Sequence, residues 1–196
     1  MSKEKTRDLL LEAGLKTFLE KGYGNAGIEA ILQASGVPKG SFYYYFESKE
    51  DFGLQVIDRF AAEITASLEE SFGDESLPPL ERIRRHFTAK IERIESDGCR
   101  RGCLAGRLSQ ELADQSEAFR ARLEEIFESW VDRYAECLVE AQAAGEIPAE
   151  VDVRELAEFW LNSWQGAILR TKTMQSTAPL RTFVDVVLGN VLPISR

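Results

Sequence analysis

The sequence of 196 residues predicts an all-α chain of nine helices. Three observations lead there. Apolar residues recur at three- and four-residue spacing through every long segment. No stretch alternates apolar and polar residues long enough to make a strand of weight. Glycine, proline and capping residues punctuate the chain where one periodic segment gives way to the next.

The first helix runs from Lys5 to Lys21, with Leu9, Leu10, Ala13, Phe18 and Leu19 at helical spacing; Gly22 stops it and Tyr23 packs beneath. The second covers Ile28 to about Ala34, with Asn25 available as its cap. Gly36 supplies a left-handed residue, Val37 points inward, and Pro38 opens a third helix from Lys39 to Tyr45. Two short helices joined by so tight a turn have the design of a helix-turn-helix, whose second helix enters the DNA major groove.

The residue types on that second helix suit the task. Lys39 can reach a phosphate or a guanine edge, and Ser41 and the hydroxyls of Tyr43, Tyr44 and Tyr45 can bond phosphate oxygens. Phe42 and Phe46, four apart, are core. Three consecutive tyrosines cannot all be core, because consecutive helical residues point in different directions. Lys3, Lys5 and Arg7 stand at the start of the first helix, either touching phosphate or simply solvated.

Ser48 caps a fourth helix, with Asp51 three residues on. Phe52, Val56, Ile57, Phe60, Ile64 and Leu68 line it to about Phe72, so it connects head to body. The segment GDESLPP, residues 73–79, breaks the pattern. Five further helices follow. The fifth spans Leu80 to about Glu95, and the sixth about Gly102 to Leu112. A long seventh is capped by Ser116 and reaches Ala144, with Phe119, Leu123, Ile126, Phe127, Trp130, Tyr134 and Leu138 inside. The eighth, started by Asp152, carries Leu156, Phe159, Trp160, Trp164 and Ile168. The ninth opens at Pro179 and carries Leu180, Phe183, Val184, Val187, Leu188 and Val191. The last two hold more apolar surface than one bundle needs: either they pack against their copies in a homodimer or they only close the monomer's core, and a helix-turn-helix that needs two heads favours the homodimer.

Composition narrows the function. The net charge is −9, yet residues through Phe52 carry seven basic and eight acidic side chains, so the acidity sits in the remainder. Affinity for double-stranded DNA must then come from a few placed cations, Lys39 and Lys49 among them, and from two heads acting on a palindromic operator. No run is long and apolar enough to span a bilayer, and the charged first residues lack a signal-peptide core, so the expected location is cytoplasmic with no membrane partner. One histidine (His86) and three cysteines argue against a zinc site or a disulfide framework. No cofactor is expected. No Ser/His/Asp set and no phosphate-cradling loop is present, so the chain is not expected to be an enzyme.

With its following Glu47-Ser48-Lys49-Glu50, the segment from Ile28 to Phe46 resembles the signature of the TetR family of transcription regulators, and the match over Thr6 to Leu54 is close. The resemblance implies a helix-turn-helix DNA-binding head over 1–48 and a ligand-binding and dimerisation body over 49–196, released from DNA by a small effector. The stretch Asn25-Ala26-Gly27 departs from the family, which places threonine at the entry of the second helix; no phosphate contact is carried over to it.

A second informative stretch is DGCRRGCLAGRLSQE, residues 97–111. Cys103 stands at a helix start near Arg100, Arg101 and Arg107, where the helix dipole and the guanidinium groups favour a thiolate. Equally, Gly-Cys-Leu at a helix start can be tight packing, with the cysteine a small hydrophobe. Gly102-Cys103-Leu104 with Leu108-Ser109 and Glu111 is similar to the equivalent helix of NemR-type regulators, TetR members that repress genes for detoxifying reactive electrophiles. That resemblance implies that Cys103 senses electrophiles or oxidants and that Lys172 is its partner. Trp160, Trp164, Ile168 and Lys172, spaced by four, form one stripe. The expected effector pocket lies among Cys103, Trp130, Trp160 and Trp164, mostly apolar, with Arg107 or Lys172 as polar anchor. A hydrophobic ligand bound without covalent chemistry, with structural cysteines only, is the competing reading. Cys99 is expected in an exposed loop, able to resolve an oxidised Cys103, and Cys137 in the core.

Overall fold

The computed structural model describes residues 3–100 and 102–189; Arg101 and Val191, singled out above, lie outside the described residues. Among the described residues every regular element is helical. The nine α-helices are α1 Lys3–Lys21, α2 Ile28–Ser35, α3 Phe42–Tyr45, α4 Lys49–Phe72, α5 Pro79–Ser96, α6 Leu104–Leu112, α7 Glu117–Ala143, α8 Val153–Met174 and α9 Ala178–Gly189. They group into two compact units, Met1–Glu63 with Cys103–Ile126 and Ile64–Gly102 with Phe127–Arg196. α4 and α7 are each one helix with a first part in the first unit and a remainder in the second.

In the first unit the core is a cluster of phenylalanines. Phe52 on α4 meets Phe18 of α1 at 5.9 Å between ring centroids, Phe42 at 5.1 Å and Phe46 at 4.8 Å. Leu10, Ile31, Val56 and Ile57 close around them and are fully buried. Each such side chain contributes about 1.5–3 kcal/mol by leaving water. α1 and α4 approach so closely that a Cβ at Gly14 would lie 2.4 Å from the Phe52 ring. α4 starts as expected: Ser48 Oγ accepts from Asp51 N at 3.0 Å. The reciprocal bond runs one residue further back, to Asp51 Oδ2 from Glu47 N at 2.9 Å.

In the second unit Phe87 of α5 is the hub. It stacks on Tyr134 of α7 at 5.7 Å and packs against Trp164 of α8 at 4.7 Å and Phe183 of α9 at 5.0 Å. Asp152 caps α8, its side chain accepting from Arg154 N and Glu155 N. The buried Arg82 fastens the loop before α5, donating from Nε to Leu77 O at 2.9 Å and from Nη1 to Phe72 O at 2.9 Å and Glu140 at 2.7 Å.

Several expectations give way to the structure. Asn25 does not cap α2; Gly27 holds that position without a side-chain bond, and Asn25 instead donates back to Lys21 O at the end of α1. Cys99 is buried, not exposed. Gly98 and Cys99 both take positive φ, 65° and 58°, and Cys99 N reaches back to Ile94 O, so the chain folds over the end of α5 and tucks the thiol in. Holding a non-glycine residue there costs on the order of 1 kcal/mol. The single helix expected from Lys39 to Tyr45 is a 3-10 turn over Lys39–Ser41 running into the one-turn α3.

Candidate functional site

Two features of the sequence build the turn between α2 and α3. Gly36 takes φ 67° and ends α2, with Val37 N bonding Leu32 O at 3.3 Å. Val37 then buries itself as the hinge pin. Pro38 directs the chain outward in extended geometry before the 3-10 turn begins. The segment that follows is sharply two-sided. Phe42 and Phe46 are buried at 0% and 2% exposure, while Tyr43 and Tyr44 stand out at 70% and 64%. Ser41 and Tyr45 are half-buried between them, and Lys39 is exposed.

Two adjacent exposed rings, each apolar in body with a hydroxyl at its tip, make a surface suited to a partner. Tyr43, Tyr44, Tyr45 and Ser41 offer hydroxyls on one short helical surface, and cations sit beside them. Lys3 Nζ lies 4.5 Å over the Tyr44 ring, and Arg7 bonds Gln55 next to Phe46. Lys39 is ion-paired with Glu29 of α2. Such a surface can accept phosphate oxygens and base edges.

Lys49, the other cation expected on DNA, already has partners within the protein. Its ammonium donates to Tyr23 O at 2.8 Å and lies 4.4 Å over the Tyr23 ring. Burial lowers its pKa, against the raising influence of the Glu111 carboxylate. Lys49 therefore fastens the turn after α1.

That turn is also held from α6. Glu111 Oε2 accepts from Tyr23 N at 2.8 Å and Gly24 N at 3.3 Å, and its Oε1 accepts from Arg107 Nε at 2.9 Å. Arg107 Nη1 donates to Leu19 O, the last turn of α1, at 2.8 Å. Burial by itself pushes the Glu111 carboxyl up, but Arg107 and the two N–H groups outweigh it and hold the pKa below the ordinary value. Gly22 makes the clasp possible: it takes φ 81°, and a Cβ there would lie 2.3 Å from Glu111 Oε1. Sequence reasoning did not single out Glu111 and Tyr23 for this role. The only local signal is the four-residue spacing of Arg107 and Glu111.

The residues expected to sense are distributed between the units. Cys103 and Arg107 belong to the first; Trp130, Trp160, Trp164 and Lys172 belong to the second. Cys103 is half-buried and holds the N-cap position of α6 in extended geometry. Arg107 is committed to Glu111 and Leu19. The three tryptophans are buried core. Lys172 is exposed, and Thr171 takes the buried position at that end of α8. A spacing of four advances about 40° per step, so three steps from Trp160 carry Lys172 about 120° round the helix. The three cysteines form no disulfide. Cys137 is core as expected: its thiol donates to Pro79 O at 3.6 Å, and burial pushes its pKa up to about 12.

His86, the one histidine of the chain, is buried beside Phe72, Phe87 and Tyr134. Burial first, and then the charge of Lys90, push its pKa down to about 3, against the raising influence of the Ser67 backbone. An open cleft of about 750 Å³ in the second unit is lined by residues 75–79 with Arg82, Glu140, Ala143, Ala144 and Glu146. No described helix is long and apolar enough to cross a membrane.

Comparison with known proteins agrees with this geometry. Residues 10–56 match the family described as "Bacterial regulatory proteins, tetR family", and residues 79–187 match "Tetracyclin repressor-like, C-terminal domain". The chain is 40% identical to the HTH-type transcriptional repressor DhaR of Mycobacterium sp. (strain GP1), over 98% of this chain and 96% of that protein. It is 45% identical to the transcriptional regulator AcuR of Cereibacter sphaeroides, over 89% of this chain and 80% of that protein. The reduced form of NemR from E. coli superposes with a TM-score of 0.88 at 27% identity, covering 97% of this chain and all of that one. The resemblance to NemR is thus present and weaker than that to DhaR and AcuR. These relatives regulate transcription and are not enzymes. A two-sided recognition segment on a helix-turn-helix, an all-helical body and near full-length similarity converge: the chain belongs to the TetR family of DNA-binding transcriptional regulators.

Proposed function

We propose that this chain is a homodimeric transcriptional repressor that grips a palindromic operator and lets go when a small hydrophobic or electrophilic effector acts on its body. The observation that carries the reading is the outward display of Tyr43 and Tyr44 on a segment whose opposite face, Phe42 and Phe46, is locked in the core. Lys39, Ser41, Tyr43, Tyr44 and Tyr45 make the DNA contacts, and Lys49 acts by positioning the turn at Tyr23. The functional head ends near residue 48 and the remainder is the effector and dimer body. TetR-family regulators bind DNA and act as dimers. Phe159, Leu169 and Met174 on α8 and Val186 on α9 supply exposed apolar surface for the partner copy. Two heads then meet half-sites about one helical turn apart. The protein works in the cytoplasm, on DNA.

For release, the effector must bind the two states of the dimer with different affinity. Cys103 is the candidate for covalent sensing: it is half-buried at the start of α6, and α6 carries the Arg107–Glu111 clasp onto the end of α1. That one relative is described in a reduced form supports asking the redox question of this chain. Lys172, exposed at the end of α8, serves here as a solvated helix end, and the tryptophans as the apolar wall of the body.

The test is binding of the purified protein to DNA from upstream of its own gene. Wild type should retard the fragment as a dimer, and the Lys39→Ala/Tyr43→Ala double variant should not. Retardation of no fragment, or equal binding by the double variant, removes the reading. Cys103→Ser should keep DNA binding and blunt release by N-ethylmaleimide. Equal responses from wild type and variant assign the thiol a structural role.

A further inference from the structure

His86 Nε2, Trp160 Nε1 and Thr171 Oγ1 are buried without a hydrogen-bond partner among the described residues, and all belong to the second unit. Buried polar atoms are nearly always paired, so each exception asks for a reason. Trp160 and Thr171 lie on the buried side of α8 either side of Trp164, which packs on Phe87, the neighbour of His86.

His86 can be read to the level of its proton. It is the only histidine and is 2% exposed. The Ser71 hydroxyl spends its single proton on Ser67 O at 2.8 Å. In that arrangement the Ser71 oxygen, 3.1 Å from His86 Nδ1, accepts, and the tautomer that fits it carries its hydrogen on Nδ1. A neutral imidazole has one N–H, so Nε2 presents a bare lone pair. With a pKa near 3 the ring stays neutral throughout the physiological range. Around it stand Phe72 at 5.3 Å, Phe87 at 5.8 Å and Tyr134 at 6.2 Å between ring centroids. A phenylalanine would suit these neighbours better. What the histidine adds is one fixed acceptor in aromatic surroundings.

We propose that His86 is the polar anchor of an effector site in the second unit, where Nε2 accepts a hydrogen bond from a small uncharged molecule carrying an O–H or N–H on an apolar body. An anion such as a carboxylate has no proton to donate to that lone pair and would lose its hydration among apolar rings. A cation would lose its hydration and meet Lys90 nearby. Neither difficulty faces an alcohol, a phenol or an amide. The inference rests on the reading of the chain as effector-controlled and narrows the class of that effector.

The single histidine makes the test direct. Full-length protein labelled with ¹⁵N-histidine gives one imidazole to observe by NMR. The expected result is a protonated Nδ1 and a bare Nε2. Phenol, the probe, should move the Nε2 resonance and leave Nδ1 in place; anisole, which lacks the donor, and benzoate, an anion, should not. In parallel, His86→Phe should raise the melting temperature without ligand and weaken phenol binding roughly tenfold or more. A proton on Nε2, a water as its permanent partner, an Nε2 resonance indifferent to phenol, or equal phenol affinity in His86→Phe each overturns the proposal. Operator binding is measured on the same samples. Should wild type bind no operator, the regulatory reading fails separately, and the Nε2 response still decides whether the site exists.

Discussion

Replacing Glu111 with alanine removes the acceptor of three donors at once: Tyr23 N, Gly24 N and Arg107 Nε. A hydrogen bond to a charged group contributes about 1.5–3 kcal/mol when water is kept away. Here it is not fully kept away, since the Arg107 and Glu111 side chains are 27% and 29% exposed. Solvation of the released groups recovers roughly half to two-thirds of the sum over the three bonds, leaving a local loss of about 2–3 kcal/mol. The loss belongs to the turn after α1, so amide hydrogen exchange is the suitable assay. The Tyr23 and Gly24 amides should exchange roughly 30- to 150-fold faster in Glu111→Ala at neutral pH, as that local loss requires. The pH dependence has a definite sign. The folded carboxyl has its pKa below the ordinary 4.5, so its contribution is complete above that value and is lost as pH falls through the lowered one. Wild type and Glu111→Gln should therefore converge in acid. Equal exchange rates at neutral pH, or a difference that persists unchanged in acid, would refute the clasp.

Three further outcomes follow from the same geometry. Tyr43→Ala and Tyr44→Ala should change unfolding free energy by no more than about 0.5 kcal/mol, because both rings are exposed, yet weaken operator binding at least about tenfold by fluorescence anisotropy. Iodoacetamide at pH 8 should modify Cys103 and spare the buried Cys99 and Cys137 until denaturant is added, as mass spectrometry will report; the Cys137 thiol, pushed up to about 12, stays protonated there. Phe52→Ala should cost about 3–5 kcal/mol in chemical unfolding, since the ring meets three other phenylalanines in the core.

What could be read from the chain alone was whatever is encoded within one or two helical turns. The caps Ser48, Ser116 and Asp152 start α4, α7 and α8 because each is satisfied by backbone N–H groups two or three residues on. The inward faces of α4 and α5 follow from spacing. The two-sided recognition segment was legible for the same reason: Phe42 and Phe46 are four apart. Contacts across long stretches were not legible. Lys49 looks like a free cation until Tyr23, 26 residues earlier, is brought under it. Glu111 finds Tyr23 across 88 residues. Cys99 misled because Asp-Gly before a cysteine reads as a surface loop, whereas the left-handed pair at residues 98 and 99 turns the thiol inward. Lys172 stands exposed because a four-residue repeat drifts round the helix.

The ion pair between Lys39 and Glu29 bears on how the operator complex responds to salt. A cation that meets a phosphate ordinarily releases a condensed counterion, and each such contact contributes about −0.9 to the slope of log affinity against log salt. Lys39 must first leave Glu29, and salt weakens that pair as well as the new one. The two dependences oppose each other, so this lysine adds less to the slope than its charge suggests. Glu29→Gln should steepen it. In the proposed operator contact, a lysine already paired with Glu29 thus contributes less salt sensitivity than a free one would.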